Sequence, residues 1–465
     1  MSARPPTATS GFTCRRIALV SPKGPLYRYR GGIFRRSLRY APLTLTTLAA
    51  LVPEDLDLDV VIIDESIEAI DDDLNVDLVA MTVITGTAPR AYELSARFRA
   101  RGRPVVLGGP HVTLVPHDAI GHADAIVVGY AEESWPRLLR DFASDRMRSR
   151  YDQDPGLSIA GTPFPRRDLL PRRRFSTTNV FEATRGCSHD CDFCVVPSAW
   201  GRSPLRRPVG EVVADIRQHG ARKLIFIDLN LIAHRGYAAE LFAALIPLRI
   251  SWYGLATVLI ADDIELLDLA RRSGCRGLLI GLESIRSESL AGANKGFHDP
   301  QRYPELTRLL HEHGIALMGC FVFGFDGDTR TVFQETAEIA VSARIDLPRF
   351  AVLTPFPGTA LYRRLEREDR IMTRDWEKYD GQHVVFRPQR MSADELQAGT
   401  SAAWRYAYRF GSIAKRIARS PAPLTVRIAS NLGYRYYGYH LDRFYNCDWI
   451  VGRAPSSAVT AGASA

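Results

Sequence analysis

Short apolar runs alternate with amphipathic stretches in the first third of the chain. Runs rich in β-branched residues occur at 16–21, 59–64, 78–82, 105–109 and 124–129. Helical patterns occur at 45–52, 91–100 and 132–142. Apolar runs that alternate with helical segments are typical of parallel strands buried on both faces. We therefore predict a doubly wound parallel sheet, an α/β fold, over residues 14–143.

A second block of the same kind begins at residue 179. Its predicted strands lie at 179–184, 223–228, 251–256, 276–282, 315–321 and 349–354. Helical segments separate them near 209–218, 237–247, 263–273, 302–313 and 329–342. Six strand–helix units are fewer than a closed eightfold barrel needs, so residues 179–360 are predicted to form a partial (β/α)6 barrel. Its reactive groups should gather at the C-terminal ends of the strands.

Three further segments complete the predicted organisation. Residues 144–178 are rich in proline and arginine, which indicates a linker between the two blocks. Residues 361–452 have a helical and aromatic pattern, so a mostly helical C-terminal region is expected. Residues 453–465 consist mainly of small and polar side chains and are predicted to be disordered.

Composition and charge narrow the class of protein. Hydrophobic residues make up 46% and charged residues 24% of the chain, as in soluble globular proteins. Neither a bilayer-spanning run nor an N-terminal apolar stretch of signal-peptide length is present in the sequence, which predicts a cytoplasmic protein. The net charge of +8 comes mainly from residues 401–450, with eight Arg and Lys against two Asp. This basic aromatic region is compatible with a membrane surface, an anionic substrate or a solvated helical face.

Three of the seven cysteines lie within eight residues, directly after the first strand of the second block. Cys187, Cys191 and Cys194 have the spacing Cys-x3-Cys-x2-Cys, which in a reducing compartment indicates metal or redox chemistry rather than disulfides. A four-iron four-sulfur cluster normally takes four thiolates, so three would leave one iron open, as a catalytic metal requires. The alternative is a Cys3His zinc site with His189 as the fourth ligand.

This cysteine motif, with the aromatic Phe193 before its last cysteine, resembles that of the radical S-adenosylmethionine (SAM) superfamily. The resemblance implies that the open iron binds SAM, with Phe193 among the contacts, and that an electron from the cluster cleaves SAM to a 5′-deoxyadenosyl radical. The stretches YAPLTLTTLAALVP, VVLGGPHVTLVP and AIVVGYAEESWPRLL further resemble the Rossmann-like cobalamin-binding domain of B12-dependent members. The implied cofactors are therefore a [4Fe-4S] cluster, SAM and cobalamin.

Strand ends of the second block carry the SAM contacts that the resemblance implies. Asp228 and Asn230 are expected at the methionine ammonium group, and Glu283 at the ribose hydroxyls. Lys295 is expected at the methionine carboxylate, and Gly324 where adenine approaches the backbone. Each has a structural alternative, because Asp228 could cap a helix, Glu283 could be a satisfied carboxylate and Gly324 could form an ordinary turn.

The implied cobalamin contacts lie at strand ends of the first block. They are Thr82, Thr85, Gly108, Gly109, Pro110, His111, Thr113, Gly129 and Glu132. The glycines would let the nucleotide tail lie against the backbone, and the threonines offer hydroxyls. His111 could ligate cobalt or have a structural role, and none of the eleven histidines fits the Asp-x-His-x-x-Gly motif of other cobalamin proteins. A domain that keeps the fold without the cofactor is the alternative.

The resemblance implies an enzyme that methylates an unactivated carbon of a small-molecule substrate, such as a natural product or a lipid. Cyclisation or ring rearrangement by the same parts is one alternative, and an iron–sulfur redox sensor without catalysis is another. An electron donor such as flavodoxin or ferredoxin is implied, and no motif indicates a nucleic-acid partner. Peripheral membrane contact through the basic C-terminal region is a further hypothesis.

Overall fold

A six-stranded parallel sheet forms the N-terminal part of the computed structural model, which describes residues 15–25, 40–71, 73–445 and 450–451. Its strands are β1 (Arg15–Ser21), β2 (Leu58–Asp64), β3 (Leu78–Thr82), β4 (Val105–Gly108), β5 (Ala125–Val128) and β6 (Arg150–Asp152). Their order is β2-β1-β3-β4-β5-β6, and every neighbouring pair is parallel. The order reverses between β1 and β3, and sheets of this kind bind ligands beyond the C-terminal ends of the strands near that point.

Helices cover both faces of this sheet. They are α1 (Leu43–Ala50), α2 (Ala88–Arg99), α3 (Pro110–Leu114), α4 (Pro116–Ala119) and α5 (Ser134–Ala143). Alternate residues of β1 point to opposite sides, so Leu19 packs in the core with Leu45 and Leu138. Val20 belongs to the other core, together with Leu94. The predicted doubly wound arrangement is therefore confirmed.

The segment predicted to be a linker contains the sixth strand. Residues 150–152 pair in parallel with β5, and only Tyr151 of the three is buried. A strand so short and polar has no apolar pattern, so the pattern of apolar residues does not predict it. The remainder of residues 144–178 is irregular except for single 3-10 turns at 167–169 and 172–174.

A second parallel sheet forms the partial barrel. The strands of this part are β7 (Val180–Phe181), β8 (Thr184–Arg185), β9 (Leu205–Arg206), β10 (Lys223–Phe226), β11 (Ser251–Ala256), β12 (Cys275–Glu283), β13 (Ala316–Phe323) and β14 (Arg349–Val352). Six of them pair in the order β7-β10-β11-β12-β13-β14, with β7 and β14 at the two edges. The predicted six-stranded partial barrel is therefore confirmed. Strands β8 and β9 form a separate antiparallel pair that encloses the cysteine loop.

Seven helices accompany these strands. They are α6 (Val195–Trp200), α7 (Val209–His219), α8 (Arg235–Leu245), α9 (Ile264–Arg272), α10 (Ser287–Gly292), α11 (Tyr303–Glu312) and α12 (Val332–Ser342). The apolar faces of α7, α8, α9, α11 and α12 share one continuous core with the strands, in which Phe226, Trp252 and Leu282 are fully buried. This core fixes the strand ends that carry the candidate site.

The C-terminal region is helical, as predicted. Its helices are α13 (Ala360–Arg367), α14 (Ala393–Ala407), α15 (Phe410–Ile417) and α16 (Leu424–Tyr439), and a short pair of strands follows, β15 (Phe444–Tyr445) and β16 (Ile450–Val451). A capping box between Ser392 and Glu395 starts α14, and the Trp404 indole donates to the Phe350 carbonyl at 2.8 Å, which anchors α14 to β14. The predicted disordered tail, 453–465, lies outside the described residues.

No helix within the described part of the chain has the length and apolar character needed to cross a bilayer.

Candidate functional site

A cavity of about 390 Å³ lies between the two sheets, at the C-terminal ends of β3, β4 and β5. The N-terminal sheet contributes Thr82, Gly108 and Gly129 to one wall. The barrel contributes Arg185 and Trp200 to the facing wall, and both flank the cysteine loop in sequence. The cavity is thus a joint product of the two domains.

Most of the predicted cobalamin contacts reach this cavity. Those in its lining are Thr82, Gly108, Gly109, Pro110, Gly129 and Glu132. Thr85, His111 and Thr113 are not part of the lining. The Thr113 hydroxyl donates to the Gly109 carbonyl at 3.0 Å and accepts from the Gly129 amide at 2.9 Å, so it joins the loops that follow β4 and β5.

Two of the cavity glycines occupy positions that exclude a side chain. Gly109 has a φ of 101°, and a Cβ there would lie 2.8 Å from the Val83 backbone nitrogen. Gly129 has a φ of 86°, and its Cβ would lie 2.6 Å from the Gln153 Cβ. Only glycine tolerates both constraints. The wall at these two turns is therefore bare backbone, which fits the close approach of a large cofactor such as cobalamin.

His111 is completely buried in a polar network away from the cavity. Its Nδ1 lies 3.3 Å from the Thr85 hydroxyl, and its Nε2 lies 3.2 Å from both the Tyr92 hydroxyl and the Asp118 carboxylate. Asp118 also accepts from the Trp376 indole of the C-terminal region at 3.2 Å. Burial lowers the pKa of His111, against the opposing effect of Asp118, so the ring is neutral near pH 7. The geometry gives His111 a structural role.

Arg185 connects the two domains across the cavity. Its guanidinium donates to Glu132 of the N-terminal domain and to Glu182 of the barrel, the latter at 2.6 Å, and lies 5.2 Å from the centre of the Tyr130 ring. Burial opposes the charged form, but the two carboxylates outweigh it and raise the pKa of Arg185. The second oxygen of Glu132 is buried without a hydrogen-bond partner among the described residues, beside the cavity. That oxygen can accept a hydrogen bond from a bound molecule.

A second contact between the domains involves two aromatic rings. Trp200, the last residue of α6, stacks on Tyr130 of the N-terminal domain with ring centres 5.5 Å apart and an interplanar angle of 7°. Helix α6 begins directly after Cys194. The cysteine loop is therefore joined to the N-terminal domain at both ends, through Arg185 and through Trp200.

The three cysteines of the motif are free thiols on the loop between β8 and α6. Cys191 is buried, and the Cys194 amide donates to the Cys191 carbonyl at 3.1 Å. The side-chain amide of Asn230 donates to the Cys187 sulfur at 3.8 Å. Burial raises the pKa of Cys191 to about 12, although Lys295 opposes that effect, so iron must displace a proton there. Three free thiols on one short loop fit a [4Fe-4S] cluster with one open iron.

The described residues do not form a preassembled Cys3His site, as the zinc alternative would have it. A single zinc ion needs about four ligand atoms within roughly 2.3 Å. Within the described residues, no three or more His, Cys, Asp or Glu side chains converge in a way that could hold a single metal ion. His189 instead stacks on Phe297, with ring centres 4.3 Å apart.

Asp228 and Asn230 support the cysteine loop. The fully buried Asp228 carboxylate accepts from the Ala183 amide at 3.1 Å and from the Thr184 hydroxyl at 2.8 Å, and burial raises its pKa to about 7. It thus fixes the segment that leads into the cysteines. The Asn230 amide points at Cys187. Contact of either side chain with the methionine ammonium group stays a prediction.

Glu283 and Lys295 form a buried ion pair, with Lys295 Nζ 2.7 Å from Glu283 Oε1 and each side chain about 10% exposed. Lys295 Nζ also lies 5.8 Å from the centre of the Phe193 ring. Burial lowers the pKa of Lys295, but Glu283 and the neighbouring Cys191 outweigh burial, so the net shift is upward. The structure therefore brings these three predicted SAM contacts together beside the cysteines.

Gly324 serves a packing role in the turn after β13. Its φ is 110°, and a Cβ there would lie 2.9 Å from Leu396 and 3.2 Å from Phe386. The Gly324 amide donates to the buried Asp328 carboxylate at 2.9 Å. The approach of adenine to this turn stays a prediction.

A Rossmann-like domain faces a partial barrel with a three-thiol loop, across a cavity with a backbone wall. The chain belongs to the radical SAM proteins that carry a B12-binding domain. The Radical SAM superfamily model matches residues 181–340, and the B12 binding domain model matches residues 33–139. The radical SAM domain implies a [4Fe-4S] cluster and SAM, and the B12-binding domain implies cobalamin.

Characterised relatives span most of the chain. Bacteriochlorophyllide d C-12(1)-methyltransferase of Chlorobaculum tepidum is 32% identical over 82% of this chain and 85% of its own. Anaerobic magnesium-protoporphyrin IX monomethyl ester cyclase of Cereibacter sphaeroides is 26% identical over 72% of this chain and 60% of its own. The radical SAM methyltransferase TsrM of Kitasatospora setae, solved with cobalamin and a [4Fe-4S] cluster, shares the fold, with a TM-score of 0.60 at 20% identity over 77% of this chain and 78% of its own.

Sequence reasoning missed the residues that join the two domains. Glu182 and Arg185 flank the cysteine motif, and Arg185 lies two residues before Cys187. The available signal was an arginine between a predicted strand and the cysteine motif. Trp200 and Tyr130 had none, because their contact depends on how the domains pack.

Proposed function

We propose that the protein is a cobalamin-dependent radical SAM enzyme that methylates an unactivated carbon of a small natural product or lipid. One observation carries this proposal. A single cavity is walled on one side by the strand ends of the B12-binding domain and on the other by residues that flank the cysteine loop. Such a cavity can hold a substrate carbon between two cofactors, and fixing reacting groups in place supplies much of the rate enhancement.

The chain's own residues have definite tasks in this scheme. Cys187, Cys191 and Cys194 would bind three irons, while Glu283 and Lys295 would bind SAM beside them. When bound, the cluster and SAM supply a 5′-deoxyadenosyl radical and cobalamin supplies the methyl group. The remaining work of the protein is to position these groups and to exclude water.

The barrel side of the cavity favours an apolar substrate. Its aliphatic side chains are Val195, Val196, Ile227 and Leu229. The charged side chains of the whole lining are few, namely Glu132, Glu182 and Arg185. Pockets of this kind bind apolar molecules and orient them with a small number of polar groups.

The proposal implies a cytoplasmic enzyme with an external electron donor such as flavodoxin or ferredoxin and no nucleic-acid partner. The donor is needed because cleavage of SAM at the cluster consumes an electron.

The test is anaerobic reconstitution with iron, sulfide and cobalamin, followed by product analysis with SAM that carries a deuterated methyl group. We expect 5′-deoxyadenosine together with a labelled product that keeps the deuterated methyl. The Cys187→Ala, Cys191→Ala, Cys194→Ala triple variant should lose iron and 5′-deoxyadenosine. If both persist in the triple variant, the assignment of the cluster is wrong.

The cyclase of Cereibacter sphaeroides supports a second candidate, cyclisation or ring rearrangement. In that case 5′-deoxyadenosine forms but the product lacks the methyl label. A redox sensor without catalysis would give neither compound.

A further inference from the structure

The solvent-facing side of α16 is apolar along its whole length. Its exposed large side chains are Leu424, Val426, Ile428, Leu432, Tyr436 and Tyr439. Four of them recur every fourth residue and so form one stripe along the helix. Leu424 is 59% exposed and Leu432 47%, and none of the exposed residues of α16 carries a charge. A surface helix of a soluble protein normally shows the opposite pattern, with polar residues facing water.

Helix α15 lies beside this stripe and extends it. The Arg435 guanidinium sits 4.2 Å from the Phe410 ring centre and 4.4 Å from that of Tyr439. At the other end, Arg427 donates to the Ile417 carbonyl at 2.6 Å, so the two helices run antiparallel. Phe410 is 66% exposed and continues the apolar surface.

Exposed basic residues lie near the apolar stripe in the chain. Lys415 is exposed on α15, and Arg419 is exposed in the connection between α15 and α16. We call the combined surface the C-terminal face, which comprises Phe410, Lys415, Arg419, Leu424, Val426, Ile428, Leu432, Tyr436 and Tyr439.

Charge restricts what can cover this face. Residues 396–441 contain seven Arg and Lys and no Asp or Glu, and the exposed ones are Arg405, Arg409, Lys415 and Arg419. A second copy of the chain would bring two surfaces of the same sign together, which is unfavourable. Nucleic acid would match the charge, but its phosphate backbone would not bury an aliphatic stripe of Leu, Val and Ile. An anionic lipid bilayer matches both properties, because its head groups are negatively charged and the acyl chains just below them are apolar.

We propose that the C-terminal face docks the protein on anionic membranes. The aliphatic and aromatic side chains enter the boundary between head groups and acyl chains, and Lys415 and Arg419 contact lipid phosphates. The protein lies on the membrane and does not cross it. This proposal is independent of the reaction that the enzyme catalyses.

The test is flotation of the full chain with vesicles of phosphatidylcholine, with and without phosphatidylglycerol. We expect the protein to float with the anionic vesicles and to remain unbound with the neutral ones. High salt should weaken binding, because it screens the basic residues. A protein that stays unbound with both kinds of vesicle would refute the proposal.

Variants identify the face. Ile428→Glu with Leu432→Glu should abolish flotation, while Ile264→Glu, at a 51% exposed position on α9, should leave it unchanged. Lys415→Glu with Arg419→Glu should lower the partition coefficient roughly tenfold or more, and exposed Arg217→Glu on α7 should not. Circular dichroism and iron content should stay at wild-type values.

Two results would contradict the assignment to this face. One is equal loss of flotation in the Ile264→Glu control. The other is a wild-type dimer, detected by sedimentation without vesicles, that the α16 variants dissociate. That result would assign the face to a second copy of the chain.

Discussion

Arg185 of the barrel donates to Glu132 of the N-terminal domain, and the two residues are 53 positions apart in the chain. The Arg185 side chain is only 15% exposed and that of Glu132 only 6%. Because Arg185 also pairs with Glu182 and immediately precedes Gly186 and Cys187, one guanidinium holds a carboxylate from each domain next to the cysteine loop.

Arg185→Ala should therefore destabilise the protein strongly. The substitution leaves Glu132 and Glu182 without their shared cation, and breaking a buried ion pair costs about 3 kcal/mol or more. The control is Arg166→Ala, which removes an exposed pair with Asp168 and should cost about 1 kcal/mol or less. Guanidinium denaturation measures both free energies of unfolding. An equal decrease in the two variants would show that the Arg185 ion pair contributes no more to stability than an exposed pair.

Asn230→Leu should lower the reduction potential of the bound cluster. The Asn230 amide donates to the Cys187 sulfur, and such a bond favours the more negative, reduced state. A hydrogen bond to a charged group is worth about 1.5 kcal/mol or more, which corresponds to a shift on the order of 50 mV for one electron. A reductive titration followed by electron paramagnetic resonance measures the potential.

Asn179→Leu provides the matched control for this change. The Asn179 amide donates to the Lys223 carbonyl at the opposite end of β10, far from the cysteines. The cluster of the Asn179→Leu variant should have the wild-type reduction potential. If the cluster of the Asn230→Leu variant also has the wild-type potential, the Asn230 amide does not influence the cluster.

His111→Gln should reduce stability and change its dependence on pH. In the wild type, burial lowers the pKa of His111, so the folded chain binds fewer protons than the unfolded chain below about pH 6.5. The wild type should therefore gain stability as the pH rises from about 5 to 7. His111→Gln should lack this contribution, and loss of the contacts to Tyr92 and Asp118 should cost roughly 1 to 3 kcal/mol.

The exposed His117→Gln serves as the control for the pH series. It should keep the wild-type pH profile of the unfolding midpoint. The visible spectrum of bound cobalamin should be the same in His111→Gln as in the wild type, because His111 does not line the cavity. A changed cobalt spectrum would contradict the structural role of His111.

Gly109→Ala should damage cobalamin binding, whereas Gly121→Ala, outside the cavity lining, should be tolerated. A Cβ at Gly109 lies 2.8 Å from the Val83 backbone at a φ of 101°, a conformation that costs other residues on the order of 1 to 3 kcal/mol. A Cβ at Gly121 meets no atom within 4 Å. Titration with hydroxocobalamin, followed by absorbance, compares the two affinities. Similar affinities would mean that the turn after β4 is not part of the binding wall.

Local sequence patterns predicted the buried strands and the cysteine motif, because each of these is a short continuous segment. The barrel strands are apolar runs, and β11 matches its predicted bounds of 251–256. The three cysteines share one short loop, so their spacing alone indicated a metal site. Strand β6 was missed because its three residues include only one that is buried.

Hydrogen bonds and ion pairs between side chains far apart in the sequence could not be predicted from local patterns. The sequence does not show that the Asp228 oxygens accept from Ala183 and Thr184, 45 and 44 residues earlier in the chain. Nor does it show that Glu283 and Lys295 pair with each other. Such pairings depend on strand register and domain packing, which a pattern of residue types does not encode. The SAM contacts of these three side chains stay predictions.

Helix α6 has a consequence for how the protein admits molecules. It starts at the last cysteine of the motif and ends on the aromatic ring of the other domain. Any movement of Trp200 away from Tyr130 would shift α6, whose N-cap residue is Cys194. If a bound molecule separates the two domains, thermodynamic reciprocity requires that its binding and the binding of iron at Cys194 influence each other. Cluster assembly and entry into the cavity would then be linked through α6.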